Sequence, residues 1–438
     1  MYREIIKDLI KWKNNNRRKP LILTGVRQCG KTYIVEEFGR NNFSNLVVVN
    51  FEQDRSVSAL FDYDFDVNRI VTEISRLKKA DIIPGQTLLF FDEIQECPEA
   101  VTALKYFCEN LRGLHLIAAG SLLGVALTHK NISFPVGKVN RMQLYPMNFK
   151  EFAIACGEEN FIQTLSDWPL DREIPELYSV PMKKLLDDYY IVGGMPEAVK
   201  IWSETHDYDE VTDVQNEILN DYESDFAKHA PLSEVPKIKM IWNSVPVQLA
   251  RENNKFVFSH VKEGKRSADL EDALEWLIDA GIIYKLCLVE KPELPLSGFA
   301  NYTYFKVYLC DVGLLRVQSG LSPKTIMNGS GSFIRYKGAM AENFVYEELV
   351  SIGKSPYFWR SGNTAELDFI YDGDDSVVPV EVKAADNTQA KSYRIFCKRY
   401  SPQTGFKISR KNIAENFCEN TRTINLPMYM TWNIKRYE

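Results

Sequence analysis

Gly25, Gly30, Lys31 and Thr32 stand in the spacing G-x-x-x-x-G-K-[ST] inside LILTGVRQCGKTYIV. That spacing suits phosphate chemistry. Glycines let consecutive main-chain N–H groups turn inward on an anion, and the helix that follows aims the positive end of its dipole at the same charge. Gly25, Arg27, Gln28, Cys29, Gly30, Lys31, Thr32 and Tyr33 are thus candidate contacts for a nucleoside triphosphate such as ATP, with Lys31 reaching the β- and γ-phosphates and Thr32 ligating Mg2+. TLLFFDEIQ then places Asp92 and Glu93 directly after an apolar run. There Asp92 would hold Mg2+ and Glu93 would orient or deprotonate an attacking water. AAGSLLG brings Ser121 to the end of a further apolar run, where a hydroxyl can sense the γ-phosphate and can equally cap a helix.

A second group of carboxylates lies near the C-terminus. In WRSGNTAELDFIYDGDDSVVPVEVK, Ala365, Leu367 and Phe369 alternate with Glu366, Asp368 and Ile370, and Val378, Val380 and Val382 alternate with Pro379, Glu381 and Lys383. Two half-buried strands sharing a hairpin are expected. A loop at 373–376 sets Asp368 opposite Glu381 and Glu366 opposite Lys383. Facing carboxylates repel unless a cation lies between them, so Asp368, Glu381 and the Val382 carbonyl form a candidate Mg2+ site, with Lys383 aligning a water or steadying a phosphate. A plain Glu366–Lys383 ion pair on a wet face fits the same alternation.

These side chains need a scaffold. Apolar runs at 46–51, 88–91 and 114–119, with a helical stretch at 67–80, give a βαβα rhythm. It predicts a parallel sheet wrapped by helices with its ligand at the carboxyl ends of the strands. From 148 the pattern turns helical through YYIVGGMPEAVKIW and reads as a lid. Residues 206–320 give further helices, then a strand pair at 284–289 and 302–309, the order of a winged helix. Its recognition helix would carry Glu271, Asp272, Glu275 and Asp279, a poor match to a phosphate-lined groove unless Lys262, Lys265, Arg266 and the wing make the contact.

At 438 residues the chain calls for several domains, and 45% hydrophobic with 26% charged residues is a globular balance. No apolar run is long enough to cross a bilayer, and the charges in MYREIIKDLIKWKNNNRRKP leave no secretory core, so a cytoplasmic protein with no membrane partner is expected. Eight cysteines without a C-x-x-C pair suggest neither a zinc ribbon nor a disulfide framework. The net charge of −6 hides a basic end: residues 391–438 hold ten Lys and Arg against three Glu, a local excess of seven. That segment could follow DNA phosphates, and it could equally be a solvated face balancing acidic segments elsewhere.

TGVRQCGKT, LLFFDEIQ, AAGSLLG, LYPMNFKEF, YYIVGGMPEA, FKVYLCDVGLL and YFWRSGNTAELDFI with VPVEVK occur in this order along the chain. The set resembles the bacterial and archaeal AAA-class P-loop ATPases whose C-terminal half is a domain of unknown function. In that family the ending is similar to restriction endonucleases and Holliday-junction resolvases, whose pattern of a helix Glu, an Asp and then Glu-x-Lys implies Glu342, Asp368, Glu381 and Lys383 here, with Glu342 a further metal ligand. The fold class implied is α/β: a P-loop parallel-sheet ATPase core at 1–147, a helical lid at 148–205, a winged-helix-like module at 206–325 and an endonuclease-like domain at 326–438. The resemblance implies an ATP-dependent switch controlling the nuclease-like end, and homo-oligomers are common in the class. An inert C-terminal domain and a non-hydrolysing nucleotide-binding module are the rival readings. Relatives commonly carry Gly-Arg before the L-x-P-x-x-F-x-E-F stretch, whereas this chain has Gly137-Lys138, leaving Arg141 or Arg27 to meet a γ-phosphate.

Overall fold

The computed structural model describes all residues except 126–132, 252–254, 265, 330, 363–364 and 385–389, and all side chains except those and 331–335. Lys265 therefore lies outside the described residues. The chain forms two compact units, one of Met1–Tyr145 with Asp279–Ile282 and one of Pro146–Ile278 with Ile283–Glu438.

In the first unit, strands β1 (Leu21–Thr24), β2 (Asn45–Asn50), β3 (Thr87–Asp92), β4 (His115–Ala119) and β5 (Asn140–Gln143) build a five-stranded sheet in the order β2-β3-β4-β1-β5. Every pairing is parallel, as the βα rhythm predicts. Helices α1 (Ile5–Asn14), α2 (Lys31–Asn42), α3 (Arg55–Tyr63), α4 (Val67–Lys78) and α5 (Pro98–Asn110) accompany it. β3 and β4 are buried at every position, which is why TLLFFD reads as an unbroken apolar run rather than an alternation. Phe91 of β3 meets Phe51, Phe61 and Phe107 edge to face at centroid distances of 5.4, 5.9 and 5.9 Å, pinning β3 to the end of β2 and to α3 and α5. The rigid result is that β1, β3 and β4 end side by side, with β4 between the other two.

The second unit holds an eight-stranded mixed sheet: β6 (Ile283–Val289), β7 (Ala300–Leu309), β8 (Tyr357–Ser361), β9 (Ala365–Asp372), β10 (Val377–Lys383), β11 (Thr404–Ser409), β12 (Ala414–Cys418) and β13 (Thr421–Pro427), in the order β12-β13-β11-β10-β9-β8-β6-β7. The strand pair expected as a wing exists, but it is no free hairpin. β6 pairs with β8 and so closes one end of the C-terminal sheet. Sequence periodicity finds a hairpin without finding its third partner, which is distant in the chain.

The β9–β10 register is the expected one, with Val377 opposite Asp372 and Val380 opposite Phe369. Two corrections apply. β10 is buried throughout except at Lys383, not half-buried, because it lies between β9 and β11 and beneath helices on its faces. Past Val380 the paired strands part, and the Val382 N–H donates to the Asp368 side chain at 2.7 Å instead of to a backbone carbonyl.

Several segments shared with the family prove to be packing. Asp311 caps the helix Val312–Gln318 through the Leu314 N–H at 2.8 Å and also accepts from the Gly194 N–H. A Cβ on Gly194 would fall 2.0 Å from the Met147 carbonyl oxygen, so YYIVGGMPEA needs glycine there. On the helix Gly331–Ser351, Asn343 binds both backbone groups of Leu309, while Glu348 accepts the Phe149 N–H at 2.7 Å. That clasp fixes the helix against the end of β7.

Candidate nucleotide site and C-terminal carboxylate cluster

The loop between β1 and α2 is built as its glycines require. Gly30 has φ of 93°, Gln28 has φ of 65°, and a Cβ on Gly25 would fall 2.3 Å from the Leu144 carbonyl oxygen. α2 starts at Lys31 with no side-chain cap and no acidic residue in its first turn, leaving its leading N–H groups and dipole for an anion. Lys31 is 7% exposed and its Nζ donates to the carbonyls of Gly25 and Val26, each at 2.9 Å. Cys29 is fully buried with its thiol toward the Leu144 carbonyl, so it offers a ligand its main-chain amide only. Tyr33 is exposed, its hydroxyl accepting from the N-terminal ammonium at 3.1 Å.

The structure brings the expected acid to the loop. Thr32 Oγ1 donates to Asp92 Oδ2 at 3.0 Å, and Asn50 Nδ2, from the end of β2, donates to the same oxygen at 3.2 Å. Burial, then the neighbouring Glu93, pushes the Asp92 carboxyl above its ordinary range, against the Thr32 hydrogen bond and Lys31. Glu93 stands in the left-handed region at φ 48°, and its Oε2 accepts from Gln95 Nε2 at 2.7 Å and from Ser121 Oγ at 3.4 Å. Ser121 is thus placed on Glu93. Arg3, 5% exposed, braces the loop by donating to the Cys29 carbonyl at 3.0 Å and to the Tyr145 carbonyl at 2.5 Å.

Of the two candidate phosphate sensors, Arg141 has its guanidinium over the Phe134 ring at 4.2 Å, and Lys138, at the position where relatives carry arginine, pairs with Glu109 at 2.8 Å. Arg3, Asn50 and Gln95 escaped sequence reasoning. Asn50 alone had a usable signal, a polar residue closing an apolar strand next to the Asp92 strand.

In the second unit, Glu342, Asp368, Glu381 and Lys383 lie within mutual electrostatic reach. Burial, then Glu381 and Glu342, pushes Asp368 well above the carboxylate range, and burial pushes Glu381 up against the pull of Lys383. Lys383 Nζ is 2.6 Å from Glu381 Oε1. Burial works against the charge of Lys383, but Glu381, Asp368 and Glu342 outweigh it and raise its pKa. The rival Glu366–Lys383 pair is not found among the described residues. Glu366 instead pairs with Lys306 of β7 at 2.8 Å, beyond the end of the β9–β10 pairing.

Lys306 is the residue sequence reasoning missed. Its side chain is 2% exposed, 3.6 Å from Glu342, and over the Phe358 ring at 5.2 Å. Glu342 also accepts from the Tyr308 hydroxyl at 2.9 Å, the same oxygen that faces Lys306, so its Oε2 is turned toward β7. A lysine in an otherwise apolar strand, FKVYL, was the available sign. Among the described residues four carboxylates face two ammonium groups, and Glu381 Oε2 is buried without a hydrogen-bond partner. The charge balance suits one divalent cation, yet among the described residues no three acids converge as metal ligands do. The basic end is partly spent internally: Arg394, Arg410, Arg422 and Arg436 pair with Glu419, Asp187, Glu415 and Asp167. Among the described residues no helix is long and apolar enough to cross a membrane.

Phosphate loop, Thr32–Asp92 contact and parallel sheet together define a P-loop protein of the AAA class, and residues 17–153 match the family model described as AAA domain. Residues 183–325 and 337–429 match two models described as domains of unknown function, DUF8612 and DUF4143. These matches support an AAA-class P-loop domain followed by a C-terminal DUF4143 domain in this chain. No curated protein matches it. Among solved structures, the Walker-type ATPase PABY2304 of Pyrococcus abyssi is 14% identical, covering 72% of this chain and 94% of its own at a TM-score of 0.45. The ORC2 protein of Aeropyrum pernix is 10% identical, covering 76% and 92% at 0.37, and a point mutant of Thermotoga maritima RuvB is 15% identical, covering 65% and 90% at 0.32. The class rests on the matched AAA domain and the loop geometry, not on these likenesses.

Proposed function

We propose that the first unit binds and hydrolyses ATP with Mg2+. The observation that carries this reading is the Thr32–Asp92 contact at the mouth of the Gly25–Thr32 loop, with Glu93 one residue on. Main-chain amides of 27–32 and the α2 dipole hold the phosphates, and Lys31 exchanges its two loop carbonyls for phosphate oxygens. Thr32 and Asp92 would hold the magnesium ion, which offsets charge developing on the phosphates. Glu93 accepts a proton from the attacking water, and Ser121, already bonded to Glu93, ties the base to the end of β4.

Hydrolysis then drives a switch acting on the second unit, the whole chain being read in four parts with boundaries at 147, 205 and 325. Support for a nuclease-like end acting on DNA is the buried Asp368–Glu381 pair with Lys383 at 2.6 Å. The unconverged acids favour the inert-domain rival instead. Phosphate release measured on the wild type and on Glu93→Gln tests the ATPase: the variant should retain ATP and stop releasing phosphate, and equal rates would refute the role. Incubation with branched, linear and single-stranded DNA, with Mg2+ or Mn2+ and with or without ATP, tests the second unit. Cleavage lost in Asp368→Ala supports the nuclease, and no cleavage of any substrate supports the inert domain.

A further inference from the structure

Gln95 lies on the short turn of 3-10 helix Ile94–Glu96 just beyond the Walker acids and is 5% exposed. Its amide orientation is settled by chemistry: the Glu93 carboxylate only accepts, so the group 2.7 Å from Glu93 Oε2 must be Nε2. Oε1 is therefore turned away from Glu93, toward Gly120 at the end of β4. There a Cβ would fall 2.2 Å from it. This oxygen is buried and has no hydrogen-bond donor among the described residues. An acceptor left so carries a desolvation penalty that a donor would relieve. β4 lies between β3, which delivers Asp92 and Glu93, and β1, which delivers the phosphate loop. The orphaned acceptor thus stands at the strand end bracketed by the base and the triphosphate cradle.

We propose that Gln95 positions the attacking water in ATP hydrolysis, its Nε2 steadying Glu93 while its Oε1 accepts the second O–H of that water. The inference rests on the hydrolase reading above. In the step it serves, the water oxygen bonds to the γ-phosphorus as the bond to the bridging oxygen breaks. ADP leaves with that electron pair, and the water proton directed at Glu93 passes to its carboxylate. Gln95 exchanges no proton. It holds the second O–H so that the lone pair of the water faces phosphorus. Gly120 has no side chain because the Gln95 amide fills the space one would take.

Steady-state phosphate release and ATP affinity are to be measured on the full chain for the wild type, Gln95→Ala, Gly120→Ala and the double variant Glu93→Gln/Gln95→Ala. Losing a hydrogen bond to the reacting water and the anchor of its base should lower kcat by about 30- to 100-fold, with the Kd for ATP unchanged within about twofold. Gly120→Ala, which removes no functional group but displaces the amide, should lower kcat in the same sense. The double variant should be no slower than Glu93→Gln, since both act on one water. Gln95→Ala turning over within about threefold of an active wild type would overturn this inference alone, as would a kcat loss matched by lost ATP binding. A wild type releasing no phosphate would overturn the hydrolase reading and this inference with it.

Discussion

Lys306→Met should damage the second unit more than any surface charge change. The Lys306 side chain is 2% exposed and is the cation that Glu366, Glu342 and Asp368 share. Breaking one side of a buried pair costs about 3–5 kcal/mol, because the remaining charge stays desolvated. Glu366 is 32% exposed and so partly screened, which favours the lower end, about 3 kcal/mol. Unfolding of a two-unit chain need not be two-state, so the readout should be local. Hydrogen exchange of the β7 and β9 amides should quicken by roughly a hundredfold in Lys306→Met, the rate equivalent of that cost. Adding Glu366→Gln should restore part of the protection, since a second unpaired charge is removed. Acceleration below about threefold, or a double variant as unstable as the two losses summed, would refute the shared-cation account.

Asp311 predicts a pH effect. Burial raises its carboxyl to about 6 despite hydrogen bonds from Gly194 and Leu314. A raised folded-state pKa lends stability at low pH that is lost as pH rises through that value. The stability gap between wild type and Asp311→Ala should therefore be about 1.4 kcal/mol wider at pH 5 than at pH 8, measured by urea unfolding, and a gap independent of pH would refute the assignment. Gly25→Ala must push the loop off the Leu144 carbonyl, 2.3 Å from the new Cβ, so ATP affinity should fall about tenfold or more in calorimetry. Unchanged affinity would show that the loop tolerates the side chain.

Local signals carried the candidate nucleotide site because the Gly25–Thr32 loop and the Asp92–Glu93 pair each follow a strand in sequence, and the parallel sheet aligns those strand ends. The β9–β10 register was legible for the same reason, a hairpin closed over 373–376. What escaped was long-range. Nothing in FKVYL says that Lys306 will enter a carboxylate cluster built from strands and a helix far along the chain, and the wing assignment failed because β6 finds β8 across that distance. Gln95 escaped for a subtler reason: its role depends on which way a buried amide faces, and only its neighbours decide that.

Calorimetric titration of Mg2+ and ATP into the wild type and Lys31→Ala tests the central claim most directly. Saturable heat in the wild type, lost when the ammonium group that spans the loop is removed, is the predicted result. No heat in the wild type, or the same binding curve for both proteins, would contradict the account at its base.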